Sequence, residues 1–330
     1  MKVLVTGSAG HLGEGLMRTL GAHGHEAVGL DLLPGPFTQQ VGSITDRAFV
    51  REALESVDAV LHTATLHKPH VATHSKQDFV DTNVTGTLVL LEEAVAAGVS
   101  RFVFTSTTSA FGAALTPPAG APAAWIDETV RPVPKNIYGV TKTAAEDLCE
   151  LFHRKHGLSC LVLRTSRFFP EEDDNSAVRQ AFADENAKAN EFLFRRVDLE
   201  DAVSAHVAAL ARVAEIGFGR YIISATTPFA PDDMAALRQN PEAVVSERFS
   251  QFAEIYAALG FEMFPSIDRV YVNEKARTEL RWRPKYDFGL ILEHLADGAP
   301  IGSDLARTVG IKGYHQGRFA DGLYPVESPS

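Results

Sequence analysis

The sequence predicts an α/β fold: a doubly wound parallel sheet with a smaller C-terminal lobe. Three observations carry this. Short apolar runs of strand length alternate with amphipathic helical stretches through about the first 165 residues. That order builds a parallel sheet covered by helices on both faces. The first apolar run, Val3-Leu4-Val5, breaks into glycines spaced G-x-x-G-x-x-G at Gly7, Gly10 and Gly13. After Arg164 the alternation stops, and polar helical stretches and Pro-punctuated turns replace it.

Taken in order, the first strand leads through the glycines into a helix with Leu12, Leu16 and Leu20 on one face. Glu26-Ala27-Val28-Gly29-Leu30 reads as a second strand ending in Asp31, and Pro34-Gly35-Pro36 as a turn. A short third strand around Gln40–Ile44, a helix over 46–55 and a strand Val57–His62 follow. One long helix is expected from about Ser75 to Ala97, with Val84, Leu88, Leu91 and Val95 on one face. Then come strand Arg101–Thr105, a Pro/Ala/Gly-rich loop over 115–123, helix 136–156 and strand Ser159–Arg164. Beyond that, 171–193 reads as polar and helical with an acidic start at Glu171–Asp174. Val197–Val213 reads as an amphipathic helix and Tyr221–Ser224 as a strand returning to the sheet. Short helices and turns fill 226–310, including Trp282-Arg283-Pro284, and 311–330 reads as a Gly-rich surface tail. A Rossmann domain is therefore expected over 1–165 plus about 196–225. About 166–195 and 226–310 would form the lobe that closes the substrate side of a cleft.

Composition narrows the function classes. Of 330 residues, 45% are apolar and 22% charged, enough for a full core. The net charge of −11 argues against nucleic acid or an anionic membrane as partner, since a phosphate backbone selects for basic patches. The two cysteines, Cys149 and Cys160, are too few for a disulfide framework and fit a reducing compartment. No signal-peptide pattern opens the chain and no apolar run approaches membrane length. A soluble cytoplasmic protein with a small-molecule substrate is the expectation.

The glycine stretch Thr6-Gly7-Ser8-Ala9-Gly10-His11-Leu12-Gly13 carries the first chemistry. Gly7 permits a tight turn, Gly10 lets backbone approach a ligand, and Gly13 lets helix and strand pack closely. The helix N-terminus then offers N–H groups and positive dipole to a pyrophosphate. The second motif is Tyr138-Gly139-Val140-Thr141-Lys142. Positions i and i+4 share a helical face, so the phenol and the ammonium project together. A lysine at that distance favours phenolate and is expected to lower a tyrosine pKa from its ordinary value of about 10. The hydroxyl run Thr105-Ser106-Thr107-Thr108-Ser109 ends the fifth strand, at the sheet edge where ligands bind in open α/β folds.

Together these residues resemble the extended short-chain dehydrogenase/reductase family, in its NAD-dependent epimerase/dehydratase branch. Asn83-Val84-Thr85-Gly86-Thr87 opening the long helix and Arg281-Trp282-Arg283-Pro284 late in the chain add to the match. The resemblance implies NAD as cofactor and Tyr138 as general acid/base. It places Lys142 on the nicotinamide ribose and makes Thr107 the catalytic hydroxyl. It implies that Asp31 accepts from the adenosine ribose diol, which favours NAD over NADP. No Arg or Lys follows among Leu32, Leu33 and Pro34 to receive a 2′-phosphate. Gly7, Gly10, His11, Leu12, Gly13, Ser43, Ile44, Ala64, Thr65, Asn83 and Thr105 fall at cofactor-lining positions. His67, Thr108 and Arg167 are the candidate substrate contacts. Relatives commonly dimerise through the long helix and the tyrosine helix, so Val84/Leu88/Leu91/Val95 and Leu148/Leu151/Phe152 are the expected homodimer faces.

The chain departs from the family pattern at four places. Gly42-Ser43 replaces the frequent Gly-Asp that meets adenine. Thr108-Ser109 replaces the Asp-Glu pair of the dehydratases, which counts against sugar 4,6-dehydration. Arg167 stands near the Asn of sugar-nucleotide epimerases. Phe264-Pro265-Ser266-Ile267-Asp268 stands where Arg-Pro-Gly-Asp usually grips a nucleotide diphosphate. These departures favour hydride transfer at a secondary alcohol or ketone of a small polyhydroxy substrate. A nucleotide-sugar epimerase with tightly held NAD is the near alternative, and a non-catalytic NAD-binding sensor or scaffold is the alternative of another class. His62, His67, His70 and His74 suggest metal ligands by spacing, but Pro69 interrupts them and no carboxylate or Cys stands at ligand spacing, so no metal is expected.

Overall fold

A computed structural model describes residues 1–312. Seven parallel strands form the main sheet: β1 (Lys2–Thr6), β2 (Glu26–Asp31), β3 (Gln40–Val41), β4 (Ala59–His62), β5 (Arg101–Thr107), β7 (Ser159–Thr165) and β8 (Phe218–Ile223). Their order is β3-β2-β1-β4-β5-β7-β8, so the order reverses between β1 and β4. That reversal opens the crevice beside the strands' C-terminal ends in which α/β proteins bind ligands. A second, two-stranded parallel sheet pairs β6 (Ala124–Ile126) with β9 (Arg269–Tyr271).

Strand alternation assigns the two faces. Val3, Val5, Leu61, Val103 and Leu161 pack under α1 (His11–Thr19) and α8 (Leu199–Ile216). Leu4, Val60, Phe102 and Phe104 pack on the other face, under α2 (Arg47–Ala53), α4 (Gly86–Ala96) and α5 (Ile137–His156). With both faces covered, the strands read as continuous apolar runs. A separate apolar cluster around Phe192, Leu193, Phe252, Tyr256, Phe288 and Ile291 joins α7 (Asp184–Glu191) to later helices. Those are α9 (Met234–Gln239), α10 (Pro241–Arg248), α11 (Phe252–Leu259) and α13 (Phe288–Ala296). The remaining helices are α6 (Ser176–Ala181), α12 (Glu274–Glu279) and α14 (Asp304–Val309).

Three expectations change. The third strand stops at Val41: Gly42 N makes the last bond to β2, at Asp31 O, and Asp46 N then closes a turn on Ser43 O. The long helix begins as α3 (Lys76–Phe79), passes through a π-helical stretch Val80–Thr85 and resumes as α4. The wider turn carries Asn83, whose side chain reaches Leu66 and Thr141; such π turns are frequent at functional sites. The β6–β9 pair was not apparent from the sequence, since each strand has three residues. The tail expected over 311–330 lies outside the described residues except for Ile311 and Lys312. No described helix is long and apolar enough to cross a membrane.

Candidate active site

One cleft of about 1230 Å³ runs along the C-terminal edge of the sheet, from Asp31 and the glycine turn to Tyr138, Lys135 and Arg269. The glycine turn is built by contact. Gly7 sits at φ +77°, and a Cβ there would stand 2.7 Å from Ala64 N. Such left-handed backbone favours glycine. No side chain caps α1, and Glu14 N closes its first turn on Gly10 O at 2.9 Å. Its leading N–H groups therefore face the cleft as an anion site. Asp31 ends β2 with Oδ2 accepting from Ala9 N at 3.0 Å and Oδ1 from Leu33 N at 3.0 Å. Its carboxylate is thus fixed beside the turn that follows β1.

The remaining cofactor candidates divide. Ser43, Ile44, Ala64, Thr65 and Thr105 line the cleft. Asn83 stands behind the wall instead: it is buried, and its amide ties Thr65, Leu66 and Thr141 together. It shapes the Ala64–Leu66 segment rather than presenting itself to a ligand.

At the other end, α5 starts at an Asn136 cap whose Oδ1 accepts from Gly139 N. The helix carries Tyr138 and Lys142 inward, both buried. The Thr107 hydroxyl lies near enough to Tyr138 to act on its phenol, and it accepts from Ser109 N at 3.1 Å. Lys142 Nζ donates to Thr105 O at 2.6 Å and lies 4.1 Å from the Phe104 ring centroid. Burial draws Lys142 down to about 7, opposed by Glu146 and Cys149. The expected lowering of the tyrosine is corrected here. Burial pushes Tyr138 up to about 12, the Thr107 hydroxyl opposes it, and Lys142 is spent on the Thr105 carbonyl. Desolvation outweighs the cation.

The substrate candidates also divide. Thr108 and His67 line the cleft, and His67 stacks on Phe169 at 5.3 Å between ring centroids. Arg167 lines it too, but three carboxylates hold its guanidinium: Asp174 at 3.2 Å, Asp173 at 3.5 Å and Glu191 at 3.8 Å. It braces the segment after β7 first. His62 is not a ligand candidate: Nδ1 bonds Thr6 Oγ1 at 2.7 Å and Nε2 bonds Thr87 Oγ1 at 3.0 Å. No cluster of three metal-binding side chains occurs among the described residues. Sequence reading missed the contact of His11 Nε2 with the Glu171 carboxylate at 2.7 Å, which joins the glycine turn to the segment after β7. Only the unusual histidine inside the glycine motif hinted at it.

The family model described as NAD dependent epimerase/dehydratase family matches residues 3–223. The chain belongs to that family. Among curated relatives, UDP-glucose 4-epimerase of Rhizobium leguminosarum is 35% identical over 171 residues, covering 49% of this chain and 50% of that protein. NAD-dependent glucose-6-phosphate dehydrogenase of Haloferax volcanii is 30% identical over 177 residues, covering 49% and 66%. The chain spans about half the length of the first curated relatives it matches. Among solved structures, a short-chain dehydrogenase/reductase superfamily protein of Agrobacterium tumefaciens with bound NAD aligns at TM-score 0.65 and 24% identity, over 93% of this chain and 97% of that one. UDP-N-acetylglucosamine 4-epimerase of Bacillus cereus aligns at 0.63 and 22%, over 89% and 97%. These two structural likenesses concern the fold.

Within this family member two buried histidines give a pH prediction. Burial draws His62 down to about 3 and His206 down to about 4. Both stay neutral when folded at pH 5, whereas unfolded histidine takes a proton below about 6.5. The unfolded state then binds more protons, so stability falls as pH drops from 6.5 toward the folded values. The slope approaches about 1.4 kcal/mol per pH unit for each histidine. The Tm at pH 5 is expected to lie below that at pH 7, and to do so less in His206→Gln. Calorimetry giving the same pH dependence for both proteins would refute it.

Proposed function

We propose that the protein is an NAD-dependent oxidoreductase of the epimerase/dehydratase type, acting at a secondary alcohol or ketone carbon of a sugar-like or other polyhydroxy substrate. The observation that carries this reading is the pairing of Tyr138 with Thr107, with Lys142 one turn along α5, in the same cleft as the glycine turn and Asp31. The cradle suits NAD: the glycine backbone and the α1 N-terminus take the pyrophosphate, and Asp31 takes the ribose diol. NAD supplies the hydride acceptor when bound. Tyr138 and Thr107 hold the substrate oxygen. In reduction the Tyr138 phenol, which burial keeps protonated, would give its proton to the carbonyl oxygen as the carbon gains hydride; oxidation is the reverse and starts from the Tyr138 phenolate, which takes the hydroxyl proton as the carbon loses hydride.

The names of the curated epimerase relatives favour a second reading, a nucleotide-sugar epimerase in which NAD stays bound and no net reduction appears. A panel of sugars, uronates and nucleotide sugars assayed for NADH release and for epimeric product separates the two. NAD binding with no turnover on any member would leave a sensor or scaffold.

Asp31 sets the cofactor preference in this reading. A 2′-phosphate placed there meets a fixed carboxylate, and like charges repel. NADP is expected to bind at least about tenfold more weakly than NAD, with Asp31→Ala narrowing the gap. Fluorescence titration giving equal affinities in the parent protein would defeat the assignment.

We also propose a cytoplasmic homodimer formed through α4 and α5. Leu91 and Phe152 from the expected faces are buried in the sheet core, while Leu151 on α5 is 38% exposed and Val140 50% exposed. Leu151→Arg is expected to shift the sedimentation coefficient from dimer to monomer; a monomer in the parent protein at micromolar concentration would remove the proposal.

A further inference from the structure

Beneath the cleft lies a buried charge cluster that the proposed chemistry does not use. Glu146 follows Lys142 by one turn of α5 and is 1% exposed. Its Oε1 accepts from Ser106 Oγ at 2.5 Å. Arg164 on β7, also buried, donates to both carboxylate oxygens, with Nη2 at 2.7 Å from Oε2. Arg220 on β8 approaches Oε2 at 3.3 Å. A buried ion pair is weak as a stabilising device, because desolvation offsets most of the attraction. Its position suggests another use.

Ser106 sits between the two residues that meet the active pair. Thr105 accepts from Lys142 Nζ through its carbonyl, and the Thr107 hydroxyl acts on the Tyr138 phenol. Strand alternation sends the side chains of Thr105 and Ser106 to opposite faces of β5. Thr105 Oγ1 is bonded to His206 Nε2 of α8 at 2.8 Å, and Ser106 Oγ is bonded to Glu146 of α5. The end of β5 is therefore gripped from both sides of the sheet.

We propose that Glu146 is a positioning residue for Tyr138 and Lys142: through Ser106 and Arg164 it fixes the end of β5, and across one helical turn it steadies the Lys142 ammonium. The proposal rests on the reading of Tyr138 and Lys142 as the proton-transfer pair. Glu146 supports the charged form of Lys142 against burial. The other groups facing Lys142 are Cys149 on α5, His62 on β4, and the Thr105 carbonyl and Phe104 ring on β5. Tyr138 stands one turn back on α5. Among these, Glu146 is the group whose carboxylate is held within one helical turn.

The test needs no substrate. In full-length protein labelled with 15N-lysine, the Lys142 Nζ resonance is assigned by its loss in Lys142→Met and titrated. The midpoint is expected well below the ordinary lysine value in the parent protein, and lower still by about one unit or more in Glu146→Gln. Should Glu146→Gln fail to fold, Glu146→Gln with Arg164→Met removes both charges of the pair and is expected to lower the midpoint by less, because losing the Arg164 cation offsets part of the effect. An unmoved midpoint in whichever variant folds overturns the proposal. A moved midpoint beside a Tyr138→Phe protein of parental turnover would keep the coupling of Glu146 to Lys142 and discard the reading of Tyr138 and Lys142 as the proton-transfer pair.

Discussion

Tyr138→Phe is expected to lower kcat by about 10²- to 10⁴-fold, the usual loss when a positioned proton donor is removed, and to leave NAD affinity nearly unchanged. The aromatic ring stays where it is, buried at the start of α5. The substitution deletes one hydroxyl from a site where the Thr107 oxygen keeps a second partner, Ser109 N. One lost hydrogen bond costs about 1 kcal/mol, and a more apolar ring in the same space offsets part of it. The change in Tm is therefore small, and the loss falls on chemistry. NADH formation on whichever substrate the panel identifies, measured with NAD binding on the same samples, checks both halves. Equal turnover in the variant would remove Tyr138 from the mechanism. The reduction direction should show its high-pH limit where the phenol ionises, because burial keeps Tyr138 protonated through neutral pH.

The features legible in the sequence are those whose partners lie close along the chain or repeat a spacing. Gly7, Gly10 and Gly13 declare a turn within seven residues, and Tyr138 and Lys142 share a face at i and i+4. The sheet was readable for the same reason: strands buried on both faces read as apolar runs. What stayed hidden depends on distant pairing. Arg167 looks like a free substrate contact in sequence, yet Asp173, Asp174 and Glu191 hold it. Asn83 sits in a motif that suggests the cofactor wall, yet a π turn aims its amide at Leu66 and Thr141. Glu146 gains its partners only when β5, β7 and β8 bring Ser106, Arg164 and Arg220 to it. The tyrosine pKa went the other way because spacing reports proximity and says nothing of desolvation.

Gly13→Ala is expected to weaken both the fold and the cofactor site, and Gly10→Ala only the latter. A Cβ on Gly13 would stand 1.9 Å from Gly7 O, 2.6 Å from Gly7 C and 2.8 Å from Ser8 Cα, all backbone atoms. No rotamer relieves that overlap, so α1 has to move off the turn. Retreat is blocked behind it: a Cβ on Gly15 of the same helix would meet Val203 of α8 at 2.8 Å, and Leu16 and Leu20 are fully buried in the sheet core. Overpacking of this kind costs about 1–3 kcal/mol, read as a lower Tm. The displaced α1 N-terminus then misaims its N–H groups, and at about 1.4 kcal/mol per tenfold NAD affinity falls by about one to two orders of magnitude. At Gly10 the nearest atom to a new Cβ is Gly7 O at 3.2 Å, a far milder contact that the turn relieves by giving a few tenths of an ångström. There the methyl occupies the approach of the pyrophosphate, and NAD binding weakens while Tm holds. Isothermal titration and thermal unfolding on the pair separate packing from contact. A Gly13→Ala protein with parental Tm and parental NAD affinity would mean that α1 does not sit against the glycine turn as described.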